Sequence, residues 1–286
     1  MLHSDMYVPP KFDEIMLKYM EEYDFITPLR VEPDVGYDES VDKLLIDFGT
    51  KSEDFDEFKF IRWNEKNIKD NNGRTEQRMF FPWMTTKTLY NKVGGNDELF
   101  LKYMVDDDDF YLRIKMSGAK YCQLFETAVY HMPSKSVRMR EDNPINTDPQ
   151  YIKSIRNFIR KWGCSPADVW DKNRDMLIPP KYDIGFTVQN CSAEALLALE
   201  PWCSNIYLTM PKPTEAQGYI LEEQKNTKFD LIKRVRPMSE EKYNDVLIEF
   251  DANKLSENNF NNFICDISEI LGDSGEVGEF ELDIFN

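Results

Sequence analysis

A helix end and a helix start, written almost back to back, constrain this chain more than any other stretch. Gly94-Gly95 follow the helical segment 86–93, and glycine is the residue that takes the left-handed turn closing a helix. Asp106-Asp107-Asp108-Asp109 come next, with Arg113 four residues past the last acid and Gly118 one helix length on. Aspartates suit the N-cap and first turn, so a second helix is expected from 107–109 to 117, closed by Gly118. The run 121–129 then has strand character and delivers His131 just past its end. Helices interleaved with a buried strand place the chain in the α/β class.

Four adjacent acids repel one another unless something offsets them. One reading is a solvated helix start, with the acids on the helix dipole. The other is a catalytic base: a carboxylate raised by its acidic neighbours can take a proton from a hydroxyl nucleophile. Arg113 faces the run from the next turn and offsets part of its charge.

The whole chain of 286 residues is long enough for one large domain or two modest ones. Hydrophobic residues at 41% and aromatics at 13% give a globular composition. The balance of 35 basic and 52 acidic residues, net −17, is poorly suited to a phosphate backbone, and no basic patch with interleaved aromatics offsets it, so no nucleic-acid partner is expected. Cys122, Cys164, Cys191, Cys203 and Cys265 are odd in number and lack CxxC spacing. Scattered reduced thiols fit a cytoplasmic location. Neither a signal peptide nor a transmembrane segment is read.

Helices are expected over 12–23, 40–48, 54–64 and 148–162, and a polar loop over 67–77. After Pro179-Pro180 the pattern becomes strand 184–188, helix 193–199, strands 204–209, 229–235 and 246–250, helix 257–271 and strand 278–284. That order suggests a small α+β ferredoxin-like domain. The expected domains are therefore 1–178 and 179–286.

His3 and His131 are the only histidines. A lone histidine at a strand end is commonly a satisfied core or surface residue. Paired with Asp5, His131 would instead give oxygen and imidazole ligands for one divalent cation, manganese or magnesium.

Gly94-Gly95-Asn96-Asp97-Glu98-Leu99-Phe100 with Asp106-Asp107-Asp108-Asp109-Phe110-Tyr111-Leu112-Arg113 resembles the GGFDExF…EDxDFxxR signature of family-two glycosyltransferases, which have the GT-A fold. Four further segments agree in order. His3-Ser4-Asp5-Met6 resembles an HxDM version of the family's DxD motif, and Phe80-Phe81-Pro82-Trp83-Met84 resembles the strand entering the acceptor side. Ala128-Val129-Tyr130-His131 with Ser134 resembles the late histidine segment, and Phe158-Ile159-Arg160-Lys161-Trp162-Gly163 the helix that follows it.

The resemblance, covering about residues 1–165, implies a metal-dependent, inverting transfer of a sugar from a nucleotide-sugar donor to a hydroxyl acceptor on a glycan, lipid-linked sugar or protein. It makes Asp107 the base, with Asp106 in place of the family's glutamate. Asp5 and His131 become ligands of Mn2+ or Mg2+, and Arg113 part of the cofactor-binding set. Trp83, Gly94, Gly95, Asp97 and Glu98 fall on the acceptor side, although Trp83 equally suits a core. His3 stands where the family has its partner acid. The family's nucleotide-binding strands precede the DxD segment, where this sequence begins. The expectation is a partial GT-A fold lacking its first strands, completed by a preceding segment or a partner chain. The competing expectation is a non-catalytic binding or assembly module derived from a glycosyltransferase.

Overall fold

A computed structural model describes residues 1–33, 43–100, 105–132, 148–166, 183–209, 213–256 and 259–264. They form two compact units, Met1–Asp97 with Asp106–Asp148, and Glu98–Val105 with Pro149–Asn286. Both are α/β.

In the first unit, β1 (Met6–Tyr7) leads into α1 (Phe12–Tyr19), which buries Phe12, Met16 and Tyr19 at helical spacing. Next come β2 (Phe25–Glu32) and β3 (Lys43–Leu45), then α2 (Glu57–Asp70), capped by Asp56. Two short strands follow, β4 (Thr75–Glu76) and β5 (Met84–Thr85). The expected helix pair is present as α3 (Lys87–Lys92), with Thr86 as N-cap, and α4 (Asp106–Met116). Gly94, Gly95 and Gly118 all have positive φ, as helix-closing glycines require. The strand β6 (Tyr121–His131) completes the unit, with His131 as its last residue.

The sheet order is β1-β6-β2-β3; β4 pairs with β6 and β5 with β2. β2 runs parallel to both β6 and β3, while β1, β4 and β5 are antiparallel to their partners. The sheet is thus mixed. The register of β2 on β6 slips at Pro28/Leu29: Pro28 faces Leu124 and Leu29 faces Ala128. Proline brings no N–H to a ladder, and a bulge is where a strand tolerates it. Helix α2 satisfies the backbone of the extra residues. Asn67 donates to the Phe125 carbonyl at 2.8 Å, and Asn64 accepts from the Ala128 N–H at 3.1 Å.

The second unit contains α5 (Pro149–Trp162), closed by Gly163 at positive φ. Beyond it lie β7 (Ile184–Gln189), α6 (Ala193–Leu199) capped by Ser192, and β8 (Asn205–Leu208). The chain continues through α7 (Pro213–Glu223), α8 (Leu231–Arg234), β9 (Val235–Pro237) and β10 (Val246–Asp251). Its four strands are all parallel in the order β10-β7-β8-β9. Phe186, Leu196, Leu199, Ile206 and Phe263 pack in their core.

Several expectations need correction. Among the described residues the second unit is not ferredoxin-like: that layout splits each strand-helix-strand with an intervening strand, whereas β7 and β8 pair directly. Residues 231–234, read as strand, are helical because Asp230 caps them by accepting from the Lys233 N–H. Residues 43–45, read as helix, are strand, and the 67–77 loop gives its first residues to α2 and Thr75–Glu76 to β4. Strand β2 and helix α7 were not foreseen. The two units divide at 97/98, 105/106 and 148/149, and the second holds α5. Its Arg160, with no side-chain exposure, pairs with Glu200 at 2.6 Å and with Glu223 at 2.5 Å. The expected boundary residues, the expected helix start at 40–42, Ser134, most of the helix at 257–271 and the final strand lie outside the described residues.

Candidate metal centre

Three side chains meet where β1 crosses the end of β6. The segment His3-Ser4-Asp5-Met6 makes a turn in which the Met6 N–H reaches the His3 carbonyl. Met6 then pairs opposite His131, and the Met132 N–H donates to the Asp5 carbonyl at 2.9 Å. This backbone pairing sets His3, Asp5 and His131 side by side, with one donor atom from each all within 4.8 Å of one another. The His3 ring is fixed from behind by stacking on Phe81 at 3.6 Å. Phe81 is held in turn by Thr27, whose hydroxyl reaches the flanking Phe80 and Pro82 carbonyls.

The group fits a cation on one specific observation. Asp5 Oδ1 is buried and accepts no hydrogen bond. It lies 3.5 Å from His131 Nε2. Burial holds His3 below the ordinary imidazole range, against the opposing pull of Asp5. A neutral imidazole is the form that binds metal. Two imidazoles and a carboxylate suit manganese and other first-row transition metals better than magnesium, which prefers oxygen ligands throughout.

On the far side of His131, its Nδ1 lies 2.7 Å from Glu32 Oε1. Glu32 is buried at the end of β2 with Lys43 Nζ at 3.0 Å and Arg30 Nε at 3.1 Å. Burial alone would raise this carboxyl. His131, Arg30 and Lys43 outweigh it and bring Glu32 down to about 2.

The acid run at the start of α4 divides by residue. Asp106 is raised by burial first and then by Asp107, and its charge is felt at His3. Asp107 Oδ1 accepts from the Asp108 N–H at 3.0 Å. Asp109 is fully buried and ion-paired to Arg113 at 2.7 Å. The same guanidinium donates to the Val93 and Gly95 carbonyls at 2.5 and 2.6 Å. Arg113 thus clasps the glycine turn and offsets one acid of the run, as its spacing from Asp109 implied.

The acceptor-side residues are spread out. Trp83 is a core residue, packed among Phe25, Tyr90 and Phe110. Gly94 and Gly95 serve the α3 terminus, where a Cβ on Gly95 would come within 3.1 Å of the Tyr90 ring. Asp97 closes the first unit's segment, while Glu98 belongs to the second unit and pairs with Lys228 at 3.0 Å. Sequence reasoning missed Glu32, Arg30 and Lys43, and it did not count His3 as a ligand. The available signal was the Arg30-x-Glu32 alternation ending an apolar run, masked by Pro28.

No helix among the described residues is long and apolar enough to cross a membrane. Comparison with known proteins leaves the site to be read from its own chemistry: no family model, curated protein or solved structure gives a match.

Proposed function

We propose that the chain acts as a metal-dependent glycosyltransferase of the GT-A type, passing a sugar from a nucleotide-sugar donor to a hydroxyl acceptor. The observation that carries this reading is the meeting of His3, Asp5 and His131 beside a raised carboxylate, Asp106. A divalent cation bound by those three side chains would neutralise charge on a leaving diphosphate. The chain's own residues supply the rest. His3 is held flat by Phe81, and Asp5 turns an unpaired oxygen toward His131. Asp106 and Asp107, both partly buried at the start of α4, are the two candidates to accept the proton of an attacking hydroxyl. Burial and Asp107 raise the Asp106 carboxyl, and a raised carboxyl is a stronger base near neutral pH. A base on one side and an anchored leaving group on the other favour in-line displacement and inversion.

The test is calorimetric titration with manganese, followed by hydrolysis and transfer assays over a panel of nucleotide-sugars. Manganese-dependent sugar release, lost in Asp106→Asn or Asp107→Asn, supports the reading and names the base. Absence of both metal binding and turnover would sink it.

A further inference from the structure

We propose that Glu32 is the positioning residue of the metal centre: its carboxylate takes the His131 Nδ1 proton in a hydrogen bond and so turns the Nε2 lone pair toward Asp5. The inference rests on the metal-site reading above and extends it to a residue outside the ligand set. Its basis is a chain of contacts. Glu32 Oε1 is 2.7 Å from His131 Nδ1, and His131 Nε2 is 3.5 Å from Asp5 Oδ1. A carboxylate held by Arg30 and Lys43 offers only acceptors, so the atom facing it at 2.7 Å must be an N–H. When the imidazole is neutral, its other ring nitrogen then presents a lone pair to Asp5 Oδ1, which accepts no hydrogen bond. Two lone pairs facing across 3.5 Å repel, and a cation between them removes the repulsion. Carboxylate, imidazole and metal in series is the arrangement by which proteins fix a ligand's tautomer and raise its basicity.

The topology makes the arrangement specific. Val31 pairs with Tyr130 in the parallel β2–β6 ladder, so Glu32 and His131 leave adjacent strands at the same end. Lys43 comes from β3, where it pairs with Arg30. The carboxylate thus has cations on its own strand and on the next, with the imidazole on the third.

Long-range proton–nitrogen correlation spectra of the metal-free full chain, at mildly alkaline pH, read the His131 tautomer directly. The expected result is the Nδ1–H form in the wild type and a mixture of both forms in Glu32→Gln. Lys43→Met, which alters the same charge cluster without touching the imidazole, should leave the Nδ1–H form in place. An Nε2–H form in the wild type overturns the proposal without need of any variant. Manganese titration by calorimetry and by electron paramagnetic resonance should show about 10- to 100-fold weaker binding in Glu32→Gln. Equal affinity in wild type and variant overturns the role of Glu32 while leaving the metal reading intact. A wild type that shows the Nδ1–H form yet binds no manganese overturns the metal reading, and with it the metal-positioning role.

Discussion

Each unit carries a cluster of carboxylates among cations, and the two clusters are finished differently. In the second unit Glu200 is fully buried and every direction around it is filled. Arg160 donates to both of its oxygens, Arg234 pairs with Oε1 at 2.6 Å, and Tyr219 donates to Oε2 at 2.8 Å. Arg156 joins Tyr219 to Glu223 and closes the network. In the first unit Glu32 is just as well held, but the chain of contacts runs outward through His131 and stops at an Asp5 oxygen that accepts no hydrogen bond. Saturation marks a network that holds the fold, because a buried charge must find all its partners within the protein. An oxygen without a hydrogen-bond donor beside two imidazoles is the feature on which the proposed cation site rests.

The largest expected effect comes from breaking the closed cluster. Glu200→Leu would take the carboxylate partner from Arg234 and one of two from the buried Arg160, and should cost about 3–5 kcal/mol, measured by chemical denaturation. Acid should find the same weakness. Burial raises the Glu200 carboxyl, but Arg160 and Arg234 outweigh it and bring it from 4.5 to about 2. A lowered carboxyl stabilises the fold above its unfolded value, so this contribution is complete above about pH 4.5 and is lost as pH falls toward 2. Melting temperatures across that window should drop less in Glu200→Gln than in the wild type.

The open cluster should respond to ligand more than to mutation. Manganese at about 100 times its dissociation constant should stabilise the first unit by roughly 2.7 kcal/mol, and His131→Ala should abolish that gain. A smaller effect is expected at the glycine turn. Arg113→Met removes one partner of the buried Asp109 and two carbonyl contacts, and should cost about 1–3 kcal/mol. Smallest of all, His3→Gln should change metal-free stability by less than about 0.5 kcal/mol while weakening manganese binding. If His3→Gln cost as much stability as Glu200→Leu, the contrast between closed and open clusters would fail.

How far this was legible in the sequence follows the range of the interactions. The glycines at 94, 95 and 118 announced their helix ends, because capping is settled within a few residues. The apolar run of β6 announced a buried strand and carried His131 to its place. Trp83 suited an acceptor side or a core equally in the sequence, since an apolar residue's type does not say which surface it meets, and the structure buries it.

By itself, then, the sequence determined the α/β character, the helix boundaries around residues 86–118 and the identity of Asp5 and His131 as metal candidates. Only the tertiary structure decided that β2 lies beside β6 despite Pro28, with Asn64 and Asn67 repairing the slipped ladder. It also decided the all-parallel order of the second unit, the transfer of α5 to that unit, and the placing of Glu32 behind a histidine 99 positions away. The physical reason is common to all of these. Strand pairing and buried ion networks join residues far apart in the chain, and their energies depend on neighbours that no local pattern contains.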